Sequence, residues 1–87
     1  MPYNLEVLPS CKKEIDSLCS KNSVLREALH KKIKQILDNP QHFKPLRKPL
    51  QNRRRVHVLK SFVLIYELNE NEKIVTLTGF SHHDAAY

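Results

Sequence analysis

Eighty-seven residues, 40% of them apolar, are enough for one domain with a single modest core. Lys and Arg outnumber Asp and Glu by 15 to 9, a formal charge of +6 that points to nucleic acid, an acidic protein or a membrane surface as partner. No apolar run reaches the roughly 18 residues that a membrane-spanning helix needs. The start, Met1 to Glu6, also lacks the basic-then-apolar layout of a signal peptide. A cytoplasmic chain is therefore expected.

Tyr3 to Leu8 reads as a short strand, with Leu5 and Val7 on one face and Pro9 ending it. Ser10 can cap a helix running to about Ser20. Cys11, Ile15, Leu18 and Cys19 share one face of that helix, so both cysteines read as core residues. At about 1.5 Å rise per residue their Cα atoms stand about 12 Å apart, beyond the roughly 7 Å limit for a disulfide. Lys21 to Ser23 forms a turn. A second helix follows from about Ser23 to Asp38, with Leu25, Leu29, Ile33, Ile36 and Leu37 as its apolar stripe. Asn39-Pro40 stops it, because proline lacks the donor and restricts the residue before it.

Residues 40 to 52 carry prolines at 40, 45 and 49 and read as a surface connection. Three strands are expected after it. In Arg54 to Leu59, Val56 and Val58 alternate with Arg55 and His57. Phe62 to Leu68 is apolar on both faces, as a central strand would be. Asn69 to Glu72 makes a hairpin turn before the last strand, Lys73 to Phe80. Gly79, the single glycine, is expected where the chain leaves the sheet. The order β-α-α-β-β-β predicts an α+β domain, with two helices on one face of a small, mainly antiparallel four-stranded sheet. The other face is then open to Arg55 and His57.

The charge is concentrated. From Lys44 to Lys60 the chain carries seven Lys/Arg residues and no acid: Lys44, Arg47, Lys48, Arg53, Arg54, Arg55 and Lys60. A one-sign field of this kind attracts a polyanion, and a phosphate backbone fits best. Residues two apart on a strand face the same way, so Arg53, Arg55 and His57 line one side. Phosphodiester cleavage uses such a pair: a guanidinium to hold the phosphate and an imidazole to move a proton near neutral pH. The plainer reading is a solvated basic face. A second cluster closes the chain, Gly79-Phe-Ser-His-His-Asp-Ala-Ala-Tyr87. One helical turn over residues 82 to 87 would set a general acid, His83, beside a stacking ring, Tyr87. The plainer reading there is a frayed tail. Lys44, Arg47, Lys48, Arg54 and Lys60 suit backbone binding. His30 and His42 read as surface residues, and Phe62 and Tyr66 as core. No Cys/His spacing suggests a metal, and no cofactor is expected.

Taken together, the element order, the stretch Arg53 to Leu68 (RRRVHVLKSFVLIYEL) and the ending Gly79 to Tyr87 resemble the RelE/ParE superfamily of toxins from toxin–antitoxin pairs. The resemblance spans the whole chain as one RelE-like toxin domain, residues 1–87, of microbial RNase-like fold. The histidine-containing YafQ-like branch is most similar. The resemblance implies a ribosome-dependent mRNA endonuclease that cuts A-site codons by metal-independent attack of the ribose 2′-OH. It also implies a cognate antitoxin, in a complex expected to be a heterotetramer around an antitoxin dimer, with operator DNA reached only through the antitoxin and no membrane partner. Carried over by position, His57 matches the strand histidine, His83 the near-terminal general acid or base, Tyr87 the closing aromatic and Arg55 a phosphate-stabilising basic position. Some positions depart from the pattern. A further YafQ-like histidine falls at Lys44 and its aspartate at Ser61, while RelE-type arginines fall at Val63 and Ser81. The alternatives are a ParE-like inhibitor of DNA gyrase, which shares the fold without an RNase site, and an RNA-binding homologue that no longer cuts.

Overall fold

The computed structural model describes residues 3–40, 42 and 53–82. The elements follow the expected order: β1 (Asn4–Val7), α1 (Pro9–Cys19), α2 (Ser23–Asp38), β2 (Arg53–Val58), β3 (Phe62–Asn69) and β4 (Ile74–His82). In the sheet the order is β1-β4-β3-β2. β4 slots between the first strand and the third, parallel to β1 and antiparallel to β3, while β2 is antiparallel to β3. The sheet is therefore mixed, with antiparallel pairing at two of its three seams. No helix among the described residues is long and apolar enough to cross a membrane.

The first helix begins earlier than its serine suggests. Pro9 is already helical, and Leu8 caps the helix without a side-chain hydrogen bond, so Ser10 lies inside the first turn and caps nothing. Proline favours this first position because its fixed φ suits the helix and its missing N–H would be unpaired there anyway. The second helix has a true cap, the Asn22 side chain accepting from the Leu25 amide at 3.0 Å. Arg26 Nη2 donates to the Cys19 carbonyl at 3.1 Å, which satisfies the exposed end of α1 and ties the two helices together.

Cys11, Cys19, Leu25, Leu29 and Ile36 pack from the helices onto Val56, Val58, Leu64, Tyr66, Val75, Leu77 and Phe80 of the sheet. Both cysteines are free thiols in this core. Full burial of one large apolar side chain stabilises by roughly 1.5–3 kcal/mol, so this cluster supplies the main favourable term of folding. The inward residues of β4 are 75, 77 and then 80, a change of phase that a plain strand cannot make. A bulge makes it: Tyr66 pairs with Leu77 but Ile65 with Gly79, leaving Thr78 as the extra residue. The Thr78 hydroxyl donates to the Ile65 carbonyl at 3.1 Å across this irregularity. Gly79 thus sits within β4 beside the bulge, and the strand continues to His82; the chain does not leave the sheet at the glycine. His82 likewise belongs to the strand and not to a terminal helical turn. β1 has ended opposite Leu77, and at that open edge the Glu14 carboxylate of α1 accepts from the Phe80 amide at 3.4 Å.

Tyr66 is fully buried, and its hydroxyl donates to the Pro40 carbonyl at 2.6 Å, which pins the exit of α2 to the centre of the sheet. Burial pushes its phenol up to about 12, against a smaller opposing pull from Arg54. Burial, with the Glu14 carboxylate nearby, pushes the Cys11 thiol up to about 11.

Two outcomes follow from this core. Tyr66→Phe should leave a buried carbonyl unpaired and cost about 1–2 kcal/mol. That corresponds to a Tm lower by roughly 4–8 °C per kcal/mol in calorimetry. Both raised groups are neutral when folded, whereas the unfolded chain ionises its thiol near 9.0 and its phenol near 10.0. Folding stability is therefore intact below about pH 9 and declines as pH rises toward 11 and 12. Urea midpoints measured across that window should fall less steeply above pH 10 in Tyr66→Phe than in the wild type, and equal slopes would contradict a buried phenol.

Candidate nucleic-acid interface

On β2 the period of two separates chemistry from core. Val56 and Val58 are buried toward the helices, whereas Arg55 and His57 are exposed on the opposite face and Arg53 is half-buried there. The register sets three rows across the sheet. His57 lies opposite Val63, which lies opposite Ser81. Arg55 lies opposite Ile65 and then Gly79. Arg53 lies opposite Glu67 and then Thr76.

The floor beside Arg55 and His57 is therefore low. Gly79 has no side chain, and among the described residues nothing lies within 4 Å of the point where a Cβ would stand. Ser81 is small, and Val63, 1% exposed, is buried without joining the helix-side cluster. Two residues along a strand span about 6.6 Å, so the Arg55 guanidinium and the His57 imidazole rise from neighbouring points on one face. An anion of phosphate size can be held by the first and reached by the second.

Arg53 is committed in part to a neighbour: its Nε lies 3.7 Å from Glu67 Oε1, with both side chains well exposed. Such an exposed pair is worth about 0–1 kcal/mol, enough to bias the guanidinium and too little to hold it. Arg54 points the other way. It pairs in register with Tyr66 and acts on that buried phenol, so it stands on the helix side, away from Arg53 and Arg55. A cleft of about 500 Å³ lined by Arg54, Glu67, Leu68, Asn69, Asn71 and Thr76 lies at the end of the sheet far from His57. His82 is on the helix side too, edge-on to Phe62 with ring centroids 5.3 Å apart, and Phe62 stacks on Phe80.

Lys60 is exposed at the tip joining β2 to β3. There Leu59 and Lys60 adopt φ of 55° and 68°, a left-handed conformation that costs side-chain-bearing residues about 1–2 kcal/mol each. Lys44, Arg47, Lys48, His83 and Tyr87 lie outside the described residues. His30 and His42 are exposed. Among the described residues, no three His, Cys, Asp or Glu side chains gather as metal ligands would. Glu67 and the Gly79–Ser81 floor escaped the sequence reading because cross-strand register carries no local signal. Only the alternation of Glu67 with Val63 and Ile65 hinted at its face.

The ParE toxin family of type II toxin–antitoxin systems (parDE) matches residues 5–87. A Methanocaldococcus jannaschii protein named "Putative toxin RelE4" is 41% identical over 85 residues, which cover 98% of this chain and 90% of that protein. Among solved structures, the Escherichia coli DinJ–YafQ toxin–antitoxin complex superposes with a TM-score of 0.79 at 19% identity, covering 100% of this chain and 99% of that one. The Mycobacterium tuberculosis RelBE2 toxin–antitoxin complex gives 0.79 at 17% identity, covering 95% of this chain and 100% of that one. At such identities the structures speak for the fold, and the family match and the archaeal relative speak for descent. The chain belongs to the RelE/ParE superfamily and is a toxin of the type II toxin–antitoxin class.

Proposed function

We propose that this toxin is an mRNA endonuclease that acts on the ribosome, cutting A-site codons by metal-independent 2′-OH attack. The observation that carries the reading is the common exposed face of Arg55 and His57 over the low floor of Gly79 and Ser81. In the proposed reaction a histidine takes the proton of the ribose 2′-hydroxyl as its oxygen bonds to phosphorus. The bond from phosphorus to the 5′ oxygen breaks, and a second acid protonates that oxygen. The products are a 2′,3′-cyclic phosphate and a 5′-hydroxyl. Arg55 neutralises the charge that builds on the phosphorane oxygens, a task for a cation aimed at where the charge develops. His57 and His83 share the two proton transfers. Tyr87 stacks on a base beside the cut.

A cognate antitoxin is the proposed inhibitory partner. Support comes from similar solved structures, three of which are toxin–antitoxin complexes. The cationic face calls for a partner with well-placed acids, docking through an apolar helix or strand.

A second reading has its own support, since the matching family carries the ParE name. A gyrase inhibitor gives no reason to pair an imidazole with Arg55 on an open face, and for that reason the endonuclease reading ranks first. A supercoiling assay run beside ribosome-programmed mRNA cleavage separates the two. Cleavage without an effect on supercoiling is expected, and the reverse would install the gyrase reading.

Arg55→Ala, His57→Ala and His83→Ala should each lower cleavage by about 10²-fold or more with the fold retained. Unchanged cutting by Arg55→Ala and His57→Ala would remove this site. Glu67→Gln releases Arg53 toward the substrate and should tighten RNA binding by about two- to fivefold, read by fluorescence anisotropy at low salt. Weaker binding in that variant would show that Glu67 itself contacts the ligand.

A further inference from the structure

The tip between β2 and β3 is built at a cost that its contacts among the described residues do not offset. Val58 pairs with Phe62, so three residues close the hairpin, and two of them in succession, Leu59 and Lys60, hold a left-handed backbone. Turns of this kind favour Asn and Gly because those residues adopt positive φ with little strain. Leucine and lysine have no such freedom. Burial does not offset the strain, since Leu59 is 45% exposed and Lys60 is exposed as well. Among the described residues the local return is a tight 2.7 Å hydrogen bond from the Ser61 amide to the Leu59 carbonyl. Strain held at an exposed apolar–cationic pair has its natural explanation in a ligand that meets both side chains.

The position of the tip indicates which ligand. Lys60 follows His57 by three residues, at most about 10 Å of chain, within reach of a neighbouring nucleotide. The tip also lies at the end of the sheet where the described part of β4 finishes, because Phe62 pairs with both Val58 and His82. We propose that the Leu59–Lys60 tip is a substrate-positioning element: Lys60 holds the phosphate next to the scissile one, and Leu59 packs against the adjoining nucleoside. The left-handed turn presents the ammonium and the apolar side chain from consecutive positions, which a relaxed Asn-Gly turn would not do. This inference rests on the RNA-cleaving reading for its substrate, and its test reads binding alone.

The probe is a fluorescent single-stranded RNA with 2′-O-methyl sugars, which cannot be cut, titrated with the full chain at several salt concentrations. Lys60→Met should weaken binding at low salt and flatten the slope of log K against log salt by about 0.7, the value of one phosphate contact on a single strand. Lys60→Gly should do the same while raising Tm by about 4 °C through relief of the positive φ. Leu59→Asn should also raise Tm and weaken binding about threefold with the salt slope unchanged. Wild-type slopes in both Lys60 variants would overturn the proposal, as would a wild-type chain that does not bind the probe. A chain that binds with these signatures yet leaves ribosome-programmed mRNA intact would keep the tip as an RNA contact and remove the catalytic reading.

Discussion

Everything at the proposed site depends on one pairing register, that of β2 against β3. Val56 opposite Leu64 and Val58 opposite Phe62 face the helices, and the same alternation turns Arg53, Arg55 and His57 outward. A slip of one residue would bury the cations and expose the valines, so the hydrophobic core enforces the chemistry. Burying one unpaired guanidinium costs several kcal/mol, and exposing two valines forfeits more. The proposed active face is in this sense the other side of the core.

The bulge at Thr78 performs the same service for β4. Without it, Phe80 would turn away from the helices, and the residues over the open face would change with it. Because the phase shifts there, the face carries Gly79 and Ser81 where Arg55 and His57 need room. The helices contribute from behind: Glu14 supports the Phe80 amide, and Tyr66 reaches through the core to Pro40. Both contacts come from the face packed on the helices, opposite Arg55 and His57.

Positions where RelE-type chains are expected to carry arginine hold Val63 and Ser81 here, one buried and the other on the floor. The proposed charge supply therefore comes from the edge strand β2 and from its tip. Arg53 is moderated by Glu67, and Arg54 is turned to the helix side. Of the dense basic run in the sequence, the described residues bring two arginines and one histidine onto a single face. A local excess of positive charge draws an anion toward the molecule, but geometry decides which cations meet it.

Periodicity made the elements legible. The stripe from Leu25 to Leu37 and the Asn39-Pro40 stop located α2, and the alternation Arg55-Val56-His57-Val58 put imidazole and guanidinium on one side. These are local properties, set by the repeat of helix or strand and by which side chains water rejects. The proline start of α1, the bulge at Thr78, the Arg53–Glu67 pair and the strained tip were not legible in that way. Each depends on what lies across a strand or above a helix, and one chain's order of residues carries no record of cross-strand partners. Composition and spacing determined that this toxin has a core, a basic strand and a candidate imidazole. The tertiary register alone decided which charges share a floor, because pairing energies are summed over the whole sheet.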